Sequence, residues 1–122
     1  MINFENNPLI RKTVQFSLDI IDFCDLLQEK RKFVIAKQLL RAGTSICANS
    51  FEAQNPSSKK DFINKIKIAA KEVEETKYWL FLCKHSKTYP FDEKLESQIT
   101  EIGKIVYKIL STSLSKDNPN NI

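Results

Sequence analysis

The sequence predicts an all-α fold, an antiparallel up-down-up-down four-helix bundle, and three observations carry that prediction. Turn residues are too scarce for a β architecture, since 122 residues contain only two Gly and four Pro while a sandwich or barrel needs many short strands and tight turns. Apolar residues recur at alternating intervals of three and four over four long segments, the period of an amphipathic helix. Those segments have comparable lengths and short breaks between them, so each helix returns beside its predecessor. At 42% hydrophobic residues, a chain of this size buries enough apolar surface for a core without disulfides or metal staples.

Asn7-Pro8 opens the first helix: Asn is a good N-cap, and proline at the first helical position loses only an N–H that has no helical partner. Leu9, Thr13, Phe16, Ile20, Phe23 and Leu27 form its inward stripe, widened by Ile10, Val14, Leu18 and Ile21, with Asp19, Asp22, Asp25 and Glu29 opposite. The charged run Glu29-Lys30-Arg31-Lys32 interrupts both patterns and puts a turn near residues 30–32. The second helix reads Ile35, Leu39, Ala42, Ile46, Asn49 and Ala53, flanked by Leu40, Cys47 and Phe51, and ends near Gln54. Asn49, a polar residue on that stripe, is expected to fix register or bond at an interface.

Asn55-Pro56-Ser57 is the clearest loop, and Ser58 with Asp61 reads as a capping box. The third helix carries Phe62, Ile66, Ala69, Val73, Thr76, Leu80 and Cys83, which predicts a rod about 40 Å long. Thr88-Tyr89-Pro90-Phe91 breaks it. From Asp92, the residues Leu95, Ile99, Ile102, Val106 and Ile109 define a fourth helix, with Asp92 and Glu93 suiting its positive end. Residues 1–7 are expected to be an N-terminal extension, 8–114 the bundle, and 115–122 a flexible tail.

Function classes narrow by elimination. Cys24, Cys47 and Cys83 form no CxxC pair and lie within or beside apolar stripes, so they read as reduced core thiols and suggest no metal centre. His85 is the only histidine and sits near a helix C-terminus, where a cation suits the dipole without catalysing anything. Gly43 and Gly103 are isolated, so no phosphate-cradling loop exists. Glu52, Glu72 and Glu75 are read as solvated, or as partners of Arg41 and the lysines, rather than as an acid/base pair. No catalytic residue and no cofactor is expected. The longest uninterrupted apolar run, Tyr78 to Cys83, has six residues, far below the roughly 20 of a membrane span, and no signal peptide is recognisable at the N-terminus. A cytoplasmic protein is expected.

Charge is concentrated in the middle of the chain. Residues 58–88 carry a net charge of +4, against +2 for 32–57, zero for 8–31 and −1 for 89–115. Lys60, Lys67 and Lys71, with Asn64 between them, share a side of the third helix away from its apolar stripe. Such a side suits a polyanion. With Lys37 and Arg41 of the second helix they are the candidate nucleic-acid-binding residues. Arginine is scarce, which favours phosphate contact over readout of guanine edges. Apolar side chains surround the third helix at Tyr78, Trp79, Phe81 and Leu82, the candidate contact between copies of the chain.

Gln38-Leu-Leu-Arg-Ala-Gly-Thr-Ser-Ile46, Ala48-Asn49, Glu52-Ala53-Gln54, Ser58-Lys-Lys-Asp-Phe62, Lys71-Glu72, Glu75-Thr76 and Tyr78-Trp79-Leu80 together resemble the 23S rRNA-intervening-sequence proteins of bacteria. The match is close over the second and third helices and holds elsewhere in length and pattern. Cys47 stands where a glycine is common, and Ser50-Phe51 replaces a more usual apolar or acidic pair. The resemblance implies a four-helix bundle assembled as a ring-like homopentamer with a basic surface suited to nucleic acid, and no catalytic residue. It extends to a related branch that serves diversity-generating retroelements as an accessory partner of reverse transcriptase. The expectation is therefore a non-enzymatic homo-oligomer that binds nucleic acid, structured RNA above all. The alternative is a scaffold that recruits a protein such as a reverse transcriptase.

Overall fold

The computed structural model describes residues 5–117, and these form four helices. Helix α1 spans Pro8–Glu29, and the Asn7 side chain accepts a hydrogen bond from the Ile10 backbone N–H at 3.2 Å. Its stripe is buried as the spacing predicts, but Leu18 and Ile21 on its flank are exposed. The turn after it is a Schellman closure: the Lys32 N–H reaches the Leu27 carbonyl and the Arg31 N–H reaches that of Gln28. Arg31 adopts φ +63°, the left-handed position that such a closure normally gives to glycine. An arginine there hides the turn from a search for Gly and Pro.

Helix α2, Phe33–Glu52, presents Ala36, Leu39, Ala42, Gly43, Ile46 and Ser50 to the interior. It stops two residues before the expected Gln54. A Cβ on Gly43 would lie 3.1 Å from Ile20 Cγ2, so the missing side chain lets α1 and α2 approach closely. Asn49 is half-buried and its amide donates to the Ser45 carbonyl of its own helix at 2.9 Å, so within one chain its bond is local. Cys47 is likewise half-buried rather than in the core, because Ile46 takes the inward position and leaves its neighbour at the helix edge.

Helix α3, Lys59–His85, begins at Ser58, whose hydroxyl accepts from the Asp61 N–H at 2.9 Å. The Asp61 carboxylate accepts from the Ser57 N–H at 3.0 Å, one residue earlier than a capping box would have it. Ile63, not Phe62, heads the buried row, which steps back three residues from Ile66 instead of four. Helix α4, Glu93–Asp117, starts where Asp92 Oδ1 accepts from the Lys94 N–H at 2.9 Å. It runs through Ser115–Asp117, residues expected in the tail, because no helix breaker precedes Pro119. Residues 1–4 of the expected extension and 118–122 of the expected tail lie outside the described residues.

Each helix packs on its sequence neighbours, and α4 closes the ring against α1, the loosest of the four contacts. Lys32, in the first turn, reaches Thr88 Oγ1 at 3.5 Å and lies 5.0 Å from the Tyr89 ring centre, so the first and third connections share one end of the bundle. Asn7 donates to Gln54 at 2.8 Å at the other end. Cys24 and Cys83 are buried in the core. Burial, with the Cys83 thiol nearby, pushes Cys24 up to about 12, and burial pushes Cys83 up to about 11. Both stay protonated and unreactive at neutral pH.

Candidate nucleic-acid interface

The outward side of α3 is a single row. Lys60, Asn64, Lys67, Lys71, Glu74, Tyr78, Phe81 and His85 follow one another at intervals of four and three, and all eight are exposed. That spacing holds residues on one helical face, opposite the buried row of Ile63, Ile66, Val73, Leu80 and Cys83. Lys60, Lys67 and Lys71 have no ion-pair partner among the described residues. Three free cations and an amide thus rise along about 17 Å of helix.

The α2 candidates behave differently. Arg41 is clamped by two carboxylates of α3, Glu75 in close contact and Glu72 at 3.4 Å. Its charge is spent tying α2 to α3, as the acidic residues of that flank suggested, and Trp79 Nε1 donates to the same Glu75 oxygen at 3.4 Å. Glu52 is held by Lys65 at 3.1 Å. Lys37 is exposed and unpaired. The Arg41–Glu75 and Glu52–Lys65 pairs mark the antiparallel register of α2 on α3, which brings Lys37 level with Tyr78 rather than with the lysine group.

The aromatic group at the C-terminal end of α3 divides. Trp79 and Leu82 are half-buried on the side toward α2, with Trp79 packed against the core. Tyr78 and Phe81 stand outward, 53% and 57% exposed. Apolar side chains therefore do surround α3 over these turns, as the sequence suggests, but they belong to two surfaces. Phe81 lies against His85 with ring centres 4.4 Å apart. Glu74, which separates lysines from aromatics, accepts a hydrogen bond from the Tyr107 hydroxyl. Burial and the Glu74 carboxylate push that phenol up to about 12.

Elsewhere, a cleft of about 370 Å³ between α1 and α4 is lined by Arg11, Lys12, Gln15, Gln98, Glu101 and Ile102. Glu101 is paired with Lys12 there. No three His, Cys, Asp or Glu side chains among the described residues could hold a metal ion. No described helix is long and apolar enough to cross a membrane.

The profile of the 23S rRNA-intervening sequence protein matches residues 5–108. The chain belongs to that family. Among solved structures it is similar to a protein of unknown function from the S23 ribosomal protein family of Bacteroides thetaiotaomicron. Sequence identity is 41% over 84% of this chain and 95% of that one, with a TM-score of 0.78. No curated protein matches it.

The alignment of Tyr78, Phe81 and His85 with the lysines escaped a reading by composition, because the two halves of the row differ in chemistry. The four-three spacing from 60 to 85 was the signal that could have found it.

Proposed function

We propose that this member of the 23S rRNA-intervening sequence protein family is a non-catalytic, cytoplasmic, homo-oligomeric bundle that binds nucleic acid, structured RNA above all, along the outer face of α3. The observation that carries the reading is the set of unpaired, exposed Lys60, Lys67 and Lys71 with Asn64 on one face, in the most basic stretch of the chain. Lys37 adds a cation farther along; Arg41 contributes through its hold on α3. Self-association, in five copies as the family resemblance implies, uses apolar side chains that one bundle leaves uncovered. Among these are Leu18 and Ile21 on α1 and Phe33, Val34 and Phe51 on α2, beside the half-buried Trp79 and Leu82 at the edge of α3.

The test is a mobility shift across salt concentrations, with light scattering for assembly. Replacing Lys60, Lys67 and Lys71 together by glutamate removes most of the affinity and makes the salt slope shallower by up to about three, since each lost phosphate contact removes about one unit. Helicity and mass are unchanged, because surface substitutions of this kind shift stability by about 0.5 kcal/mol or less. Binding as tight as the parent's with the same slope would refute the reading. A monomer at tens of micromolar would refute self-association. The second reading, a scaffold for a protein such as a reverse transcriptase, is favoured by the same exposed apolar side chains of α1 and α2. It predicts capture of that partner with little dependence on salt.

A further inference from the structure

We propose that the outer row of α3 is a platform for unpaired nucleotides. Lys60, Lys67 and Lys71 hold the phosphates of a strand whose bases stack on Tyr78, Phe81 and His85. The inference rests on the nucleic-acid reading above and names the form of nucleic acid that the site takes.

A single helical face changes at Glu74 from cations to aromatic rings. The carboxylate between the two halves accepts from the Tyr107 hydroxyl and lies 3.8 Å from Lys77, whose charge offsets part of its own, so the row stays net positive with one acid against Lys60, Lys67, Lys71 and Lys77. A positively charged track beside exposed rings is the arrangement that binds single strands without sequence preference, because every base has a π-face. From Lys60 to His85 the row is about 38 Å long, enough for several nucleotides and within the usual site size of about 4–16.

The rings are braced. Phe81 and His85 are already in contact, tilted at 43°. Tyr78 leans edge-on against Trp79, centre to centre 4.9 Å, and Trp79 is itself packed on the core and bonded to Glu75. Stacking a base on a ring held in place costs little side-chain entropy. Lys37, level with Tyr78 on the neighbouring helix, supplies a cation for the phosphates of the stacked nucleotides. A duplex offers phosphates to the lysines, but its bases are already stacked on one another and cannot reach the rings. Unpaired loops, bulges and ends of a folded RNA are the segments that can use both halves.

The experiment measures fluorescence anisotropy of an unstructured 12-nucleotide RNA and of its 12-base-pair duplex, across salt, with light scattering on every variant. The parent protein is expected to bind the single strand at least about tenfold more tightly than the duplex. Y78L/F81L is expected to lose that preference, with duplex affinity unchanged within about twofold and the salt slope intact, because bases carry no charge to release. Y78W/F81W, which keeps stacking surfaces at both positions, retains the preference. Equal affinity for the two probes, with Y78L/F81L binding as the parent does, overturns the platform and leaves the basic face standing. Loss of assembly in Y78L/F81L with unchanged affinity also overturns it and assigns the rings to contact between copies. If the parent binds neither probe in a salt-sensitive way, the nucleic-acid reading fails and the platform with it.

Discussion

Helix α1 faces two neighbours in different ways. Toward α2 it is apolar and close, with Ile20 Cγ2 3.1 Å from where a Cβ on Gly43 would stand, and the two helices are joined by a Schellman turn. Toward α4 the contact is loose and polar. Asp19 accepts from Gln98 at 2.8 Å and from Lys94 at 3.2 Å, Lys12 pairs with Glu101, and the cleft lies beside them. No loop joins α1 to α4, so their pairing depends on side chains alone. Both sides share one apolar core, and the contrast teaches that directional polar bonds are added where the packing of α1 on its neighbour is sparser.

Ile20→Ala should have the largest effect, because it opens a cavity at the tight contact. A loss of about 2–5 kcal/mol is expected for such a truncation, read from the midpoint of urea unfolding. A loss below about 1 kcal/mol would mean that α1 and α2 collapse into the space and that the contact is not tightly packed.

The polar contact is tested through pH. Burial raises the Asp19 carboxyl, but hydrogen bonds from Gln98 and Lys94, the Lys94 charge and the Gln15 amide outweigh it and hold the group below 3.8. A carboxyl that ionises more readily in the folded chain than in the unfolded one stabilises the fold above the unfolded value, and that contribution is lost as pH falls through the folded value. Asp19→Asn is expected to cost about 1–2 kcal/mol at pH 7, with the difference from the parent shrinking once pH drops below 3.8. A gap that persists undiminished at pH 2.5, judged by thermal unfolding, would show that charge plays no part at this contact.

The smallest effect sharpens the close side of the comparison. Arg31→Gly relieves a left-handed backbone at the turn between α1 and α2, which costs an L-residue about 1–2 kcal/mol, partly offset by the extra freedom of glycine in the unfolded chain. A gain of about 0.5–1 kcal/mol is expected in denaturant titration. Destabilisation instead would mean that the arginine side chain supports the turn.

Much of the fold was legible in the sequence because helices are local. Asn7-Pro8 marked the start of α1, Ser58 the start of α3, and the inward stripes of α1 and α4 follow from a period that any chain of L-residues must obey. The basic face of α3 was legible for the same reason, since residues four and three apart share a side wherever the helix is placed. What the tertiary structure decided are the matters that depend on a second helix. Sequence reading left Glu52, Glu72 and Glu75 either solvated or paired with Arg41 or a lysine, and only the register of α2 on α3 paired Arg41 with Glu72 and Glu75 and withdrew its charge from the basic face. Leu18 and Ile21 look like core on a helical wheel and are exposed because no helix of the bundle covers that side of α1. Asp19 became a bond acceptor for α4 rather than one of four solvated acids, through residues 75 and 79 positions away in the chain. Local periodicity sets which residues share a face; the distance and direction of the neighbouring helix set what that face meets.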